Sequence, residues 1–486
     1  MSSPHHMAPR TPAEPATTPS STGLRAKALM PVLVALSTTY TFLESLLGPA
    51  VPVIQKSFNT TPAAAAWIFT GLTLAGVISM PLVTRLTDVR DKRPLLLTVT
   101  VIVCIGVLIS GTAPSIAVLA VGQVLQGVGL ALLPLSISVA RATQSEERVK
   151  RANGLLVGAT LFGSAPGFIL AGPLLNVVPS FRWLYFIPLF VLVLLAAFAF
   201  WVIPSMPARR KAPVDFAGAA LLGTGLTVLL VGLTFAPTTG WASPTFLIAL
   251  GISVALLATF VAVERRTENP LVDFRLGGRI VITVCLLCFA TGYANMTLFV
   301  ALPTIASAPS AAGYGLGGST MLAGLLLLPM AALGTITAAL NRPLRVRIGS
   351  RGVMVVAGLL LTASVGLILM NTSVAALALS STLIGAGIGF GLTEAVNLAV
   401  ENVPEDRVAS VAGLVYISRN TGATFGAQIG SSILATALVP ALGLPSWSGL
   451  ATMFSVTLLV AIAATVGGAA VPGRRAAVAA AVPGSA

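Results

Sequence analysis

Apolar runs of roughly 18 residues or more follow one another from about residue 29 to residue 471, and charged residues collect in the breaks between them. A helix of that length crosses the hydrocarbon core of a bilayer and satisfies its own backbone there. With 56% hydrophobic and 9% charged residues and a mean hydropathy of +0.96, the 486-residue chain has too little polar surface to stay in water. The fold class is therefore an all-α polytopic membrane protein. Fourteen spans are expected, at about 29–53, 62–86, 94–112, 115–141, 152–177, 181–203, 215–235, 243–264, 279–305, 318–341, 351–370, 373–401, 407–438 and 447–471.

Charge placement orients these spans. With the N-terminus in the cytoplasm, 26 of the 28 basic residues lie in the tails and turns on that side or, like Arg419, on the inner part of a span; only Lys56 and Arg182 fall outside. The positive-inside rule then puts both termini in the cytoplasm. The net charge of +14 is a topology signal, and nucleic acid is excluded as a partner. Cys104, Cys285 and Cys288 lie within spans and imply no disulfide framework, and no second ligand pair completes a metal site. His5 and His6 are both in the N-terminal tail, so no imidazole is available in the membrane, and neither a metal nor another cofactor is expected. Residues 1–28 read as a disordered cytoplasmic tail rather than a cleaved signal peptide, and residues 472–486 as a second tail.

The chain carries a weak internal repeat. Setting Arg85 on Arg342 also pairs Val89 with Val346 and Arg90 with Arg347, and both basic turns join the second and third helices of a six-helix set. This divides the chain into an N-terminal bundle at 29–203, a linker at 204–278 and a C-terminal bundle at 279–471. The linker holds the seventh and eighth spans, which read as a peripheral, lipid-facing pair.

Several strings in order along the chain carry a family resemblance. They are Ala50–Pro52 at the end of the first span, "AAWIFTGLTLAG" in the second, "LQGVGLALLPLS" (Leu125–Ser136) in the fourth and "FRWLYFIPL" at the sixth. "ENPLVDFRL", "AGLLLLPMA" and "RNTGATFGAQIG" complete the set. On these residues the chain resembles the fourteen-spanning drug:proton antiporter branch of the major facilitator superfamily. The resemblance implies two six-helix bundles plus two inserted helices, working by rocking-bundle alternating access. It assigns Asp88 to a cytoplasmic gate with Arg85, Arg90 and Arg93. Thr84 and Asp91 stand where the family pattern has glycines, and Gln123 where it has an arginine.

Few ionisable residues fall within the spans, and an ionised carboxylate in hydrocarbon must be paired, face a cavity or take up a proton. Glu44 lies among Ser37, Tyr40, Thr41, Ser45 and Gly48 on a polar stripe of the first span. It is read as a cavity-lining proton or cation carrier, or else as a helix–helix hydrogen bond or a residue near the outer interface. Glu394 is the second candidate, either coupled to protons or held in an ion pair with Arg419. Pro49 and Pro52, just beyond Glu44, suit a kink or a helix end. Tyr40, Thr41, Gln123, Gln126, Asn295 and Met296 are the candidate substrate contacts, a set suited to a lipophilic ligand with a few polar groups.

The expected function is secondary active efflux of lipophilic drug-like or antibiotic molecules in exchange for protons, by a monomer in a bacterial inner membrane. The alternative is export or flipping of a lipid or other amphiphile with weak or no proton coupling. No G-x-x-x-x-G-K-[ST] loop is present, so ATP does not drive the chain from within. An intramembrane enzyme would need a nucleophile–base pair that the spans do not offer.

Overall fold

The computed structural model describes residues 24–143, 146–178, 180–206, 214–267, 270, 279–401, 408–439 and 443–469. Helix α1 (Leu24–Ser57) runs straight through the two prolines that suggested a kink or an end, and stops only at Ser57. Thr61 then caps α2 (Pro62–Ala65), accepting from the Ala64 amide at 3.2 Å, and Pro62 takes the first helical position, where its missing N–H costs nothing. After a turn at Ala66 the path continues as α3 (Trp67–Val89). Asp91 caps α4 (Lys92–Thr112) and Ser115 caps α5 (Ile116–Gly127). A tighter 3₁₀ turn at Val128–Ala131 links α5 to α6 (Leu132–Thr143). Helices α7 (Glu146–Val177) and α8 (Trp183–Val202) follow.

Two helices come next. Asp215 caps α9 (Phe216–Thr239), and Ser243 caps α10 (Pro244–Arg266). The last part of the chain holds α11 (Arg279–Ser307), α12 (Thr320–Met370), α13 (Val374–Glu401), α14 (Val408–Thr436) and α15 (Trp447–Ala469), with a two-stranded hairpin between the last two. Helix α12 is 51 residues long and changes course at Gly349, whose φ of 72° is the left-handed region that glycine enters without strain. This residue lies in the basic turn between the tenth and eleventh expected spans.

Among the described residues, eleven helices are long and apolar enough to cross a membrane, and one of them, α12, contains two expected spans. The expectation of fourteen is thus met in part. Hydroxyls inside the helices fold back on carbonyls one turn earlier: Thr38 on Val34, Thr41 on Ser37 and Ser45 on Thr41, at 2.8–2.9 Å. Within the polar stripe around Glu44, Thr41 and Ser45 are therefore satisfied by α1 itself, while the Ser37 and Tyr40 hydroxyls are buried without a partner.

Packing follows two groups. Helix α1 lies against α7 and α8, and α4 against α5 and α8; α12 lies against α13 and α15, and α11 against α13, α14 and α15. Three seams join the groups: α3 with α14, α7 with α12, and α1 with α11. The basic turns gather at one end of the assembly, called here the basic end; Lys56 and Arg182 mark the other.

The inserted pair departs from expectation. Helix α10 is peripheral, with 11% of its apolar stretch buried. Helix α9 is not: it lies in the seam between α3 and α14. Thr234 Oγ accepts from Trp67 Nε1 of α3 at 2.8 Å and from Gln428 Nε2 of α14 at 2.9 Å, while Ser432 Oγ donates to the Leu233 carbonyl at 2.8 Å. A helix whose polar atoms are committed to both groups cannot sit free in lipid, and composition alone did not reveal that commitment.

Candidate functional site

The two groups meet most tightly on the side away from the basic end. Phe299 of α11 points at Gly48 of α1, where a Cβ would come within 2.8 Å of its ring. Phe69 of α3 meets the same ring edge-on at 5.0 Å between centroids, and Phe168 of α7 at 5.8 Å. At Gly324 of α12 the approach is closer still, since a Cβ there would lie 1.9 Å from the Phe168 carbonyl oxygen. Aromatic rings from both groups thus form a plug. Beyond it is a cavity of about 10 Å³, room for one water, lined by Gln55, Thr304 and Ser431 among others.

Glu44 lies one turn from Gly48 on the same face of α1, on the basic side of the plug, and is half-buried. The neighbouring Tyr40 is 4% exposed, its ring pressed against the 3₁₀ turn so closely that a Cβ on Gly129 would fall 2.2 Å from it. Only glycine fits there. The next residue, Leu130, fills the space over Gly76 of α3, and Asn420 of α14 reaches the same place, donating to Met80 Sδ at 3.2 Å. Glu44, Tyr40 and the Arg419–Asn420 pair therefore occupy one level. At that level Arg419 is the charge that acts on Glu44 from the opposite group. The Tyr40 hydroxyl and Arg419 Nε are buried there without a hydrogen-bond partner.

The expected pairing of Glu394 with Arg419 is not what the structure contains. Glu394 is fully buried on α13 and pairs with Arg345 of the α12 turn, Nε to Oε1 at 3.1 Å. The Nε hydrogen is directed at Ser350 Oγ, at 3.0 Å, so the contact with Glu394 is ionic. The two ends of the Arg345 fork hold Glu401, one at 2.7 Å. That bond and the guanidinium charge hold the exposed Glu401 carboxyl below the usual carboxylate range. Asn397, one turn along α13 from Glu394, donates to Asn341 at 3.4 Å. The physical reason is reach. Arg345 sits at the turn directly beside the inner end of α13, whereas Arg419 lies on α14 where it packs against Gly292 of α11.

Of the candidate substrate contacts, Gln123 and Gln126 are fully buried within the first group, and Gln123 donates to the Tyr185 hydroxyl at 3.0 Å. Gln123 is thus committed to α8 rather than presented to a cleft. Met296 is buried on α11, Asn295 beside it is partly exposed, and Thr41 is partly exposed with its hydroxyl bonded to Ser37. Tyr40 remains with Glu44 at the level between the groups, while Thr41 packs over Gly163 of α7 within the first group.

At the basic end Asp88 occupies the last turn of α3, but its side chain lies outside the described residues. Arg85 donates to the Pro270 carbonyl at 3.2 Å, Arg90 is exposed, and Arg93 donates to the Phe200 carbonyl at 2.7 Å while lying 5.0 Å over its ring. Arg93 thereby ties α4 to the end of α8. The organising acid of this turn is Asp91, which sequence reasoning treated only as a replaced glycine. It accepts from the amides of Arg93 at 2.9 Å and Met206 at 3.0 Å and from the Ser205 hydroxyl. An acid between the end of one helix and the start of the next is a cap position, and that signal was available.

Partial burial pushes the Asp91 carboxyl up, but the hydrogen bonds from Ser205, Met206 and Arg93 and the Arg93 charge outweigh it and hold the group below its ordinary value. Its contribution to stability is therefore complete above the unfolded value, roughly 3.9, and is lost as pH falls through the lower native value. Asp91→Asn is expected to lower the melting temperature at pH 7, with the gap from wild type closing as the pH is taken toward 3. A gap that is constant with pH would show that the charge plays no part.

Comparison with known proteins extends the likeness to most of the chain. The profile of the Major Facilitator Superfamily matches residues 33–427. The multidrug resistance protein Stp of Mycobacterium tuberculosis is 27% identical over 425 residues, covering 85% of this chain and 76% of that protein. The multidrug resistance protein B homolog of the same organism is 27% identical over 400 residues, covering 79% and 72%. Among solved structures, the POT family transporter PepTSo superposes with a TM-score of 0.63 at 15% identity, covering 91% of this chain and 97% of that one. The nucleoside transporter NupG does so with 0.60 at 13% identity, covering 92% and 99%. At such identities the structural likeness speaks for the fold alone.

Proposed function

The chain belongs to the major facilitator superfamily, a family of transporters rather than enzymes, and we propose that it exports lipophilic drug-like molecules in exchange for protons. The observation that carries this reading is the level at Glu44. A half-buried carboxylate of one helix group lies at the level of Arg419 of the other, on the basic side of an aromatic plug. A proton taken up by Glu44 changes the charge between the groups, which couples protonation to their relative motion. The multidrug-resistance names of two relatives support the substrate class.

In this reading the basic end is cytoplasmic, following the positive-inside rule, and the plug closes the outer side. The chain then lies in a bacterial inner membrane with both termini inside. It has fourteen spans once α12 is divided at Gly349 and the long helices α7 and α14 are included. Substrate contacts come from Tyr40, Thr41 and Asn295, and Asp88 with Arg85 and Arg90 gates the cytoplasmic side. Glu394, held by Arg345, serves as a structural lock of the second group, since a buried carboxylate stripped of its partner would be strongly destabilising. Gln123, in the position where the family pattern has an arginine, favours a second reading: export of a lipid or other amphiphile with weak coupling.

Reconstitution separates the two. In proteoliposomes with an imposed pH gradient that drives protons into the lumen, drug efflux from the lumen should rise with the gradient and acidify the lumen in step. Lipid or amphiphile movement that ignores the gradient would instead establish the second reading.

A further inference from the structure

The charge a ligand meets at a site is the sum of all fixed charges there, and at this level the sum includes a permanent cation. Arginine does not lose its proton in a protein. Arg419 lies mid-way along α14, with Nε buried and without a hydrogen-bond partner, and it forms no salt bridge with any described carboxylate. Its depth matches that of Tyr40 and Glu44 through the chain of contacts from Gly129 to Leu130, Gly76 and Asn420. One turn from Glu44 on the same face of α1, the Tyr40 hydroxyl is buried without a hydrogen-bond partner and adds no charge. The remaining described carboxylates lie elsewhere. Glu394 and Glu401 are held by Arg345, Asp91 and Asp215 cap helices at the basic end, and Glu264 lies beside Asp215 over Gly218.

We propose that Arg419 sets substrate selectivity, so that the site accepts zwitterionic or uncharged lipophiles and disfavours lone lipophilic cations. The proposal rests on the efflux reading above. With Glu44 ionised the pair sums to zero, so a cation drawn toward the carboxylate is repelled by the guanidinium beside it. A zwitterion meets both charges with its own: its ammonium replaces the proton on Glu44, and its carboxylate takes the unfilled hydrogen-bonding capacity of Arg419. Proton exchange is preserved, because one proton leaves Glu44 as one ammonium arrives, while the anionic end of the ligand prevents a net charge from building up in the cleft.

A matched pair of probes tests this directly. 4-Phenylbutyl-trimethylammonium and the betaine in which one methyl is replaced by a carboxymethyl group differ only in the carboxylate. Their binding to the full-length protein in lipid nanodiscs, without any gradient, is to be compared at pH 7.5. The wild type is expected to bind the betaine about tenfold or more tightly than the ammonium. In Arg419→Gln the ammonium should gain about tenfold and the betaine should lose its advantage. Adding Glu44→Gln to that variant should return the ammonium to weak binding. A wild type that prefers the ammonium, binds neither probe, or keeps the same ratio after Arg419→Gln overturns the proposal. The wild-type ratio decides the matter even if the variants fail to fold. Binding is read without a gradient, so the proposal and the efflux reading fail separately. Gradient-driven export with a ratio near one sinks the proposal alone, and the expected ratio without gradient-driven export sinks only the reading.

Discussion

Glu44→Gln is expected to cut efflux driven by a pH gradient by roughly tenfold or more, while leaving gradient-free counterflow within about twofold of wild type. Glutamine has the size of glutamate and keeps its hydrogen-bonding capacity, so the packing of α1 below Gly48 is undisturbed. What it lacks is an exchangeable proton. Counterflow needs only the exchange of one substrate molecule for another, so it should survive. Glu44→Asp, with the acid retained on a shorter stem, should keep part of the gradient response. Undiminished gradient-driven efflux in Glu44→Gln would remove this residue from the coupling step, because the neighbouring side chains offer no other carboxylate.

The second large effect is expected at the seam between α7 and α12. A Cβ on Gly324 would lie 1.9 Å from the Phe168 carbonyl oxygen, and backbone cannot swing aside as a side chain does. Gly324→Val must therefore push the two helices apart on the side of the plug and loosen the Phe168–Phe299 contact. Leu327 is fully buried against that plug, so a cysteine there reports on it once Cys104, Cys285 and Cys288 have been replaced. In the Gly324→Val background its labelling by a water-soluble maleimide should accelerate about tenfold or more, and transport should fall in parallel. Labelling at the wild-type rate would mean that the plug closes independently of this seam.

The sequence carried different parts of this picture with different clarity. Span existence was legible because hydrocarbon forbids unpaired backbone and charge over some 30 Å, which leaves long, unmistakable runs. The helix starts were legible where the spans expected from 62, 115 and 243 begin within one residue of α2, α5 and α10. The end of α1 was not, since Pro49 and Pro52 are compatible both with a stop and with a continuous helix, and only packing decides. Glu44 stood out as a lone acid. Its counterpart did not, because spacing along the chain cannot say whether Arg419 faces α13 or α1. The plug was invisible for a simpler reason. Phe299 is one of 20 phenylalanines in a chain dominated by apolar residues, and its meeting with Gly48 is a tertiary fact.

The position of α9 has an implication for the ancestry and engineering of such chains. Removing residues 207–278 would leave the two repeat-like halves, but it would not restore a working twelve-helix form. Trp67 Nε1 would lose Thr234 as its acceptor, Gln428 Nε2 one of its acceptors, and Ser432 Oγ the Leu233 carbonyl, all on a surface newly turned to lipid. Each donor stranded in that surface costs about 1–3 kcal/mol. Helix α9 is a keystone of this seam. A shortened chain must change Trp67, Gln428 and Ser432 together to apolar residues, or keep α9.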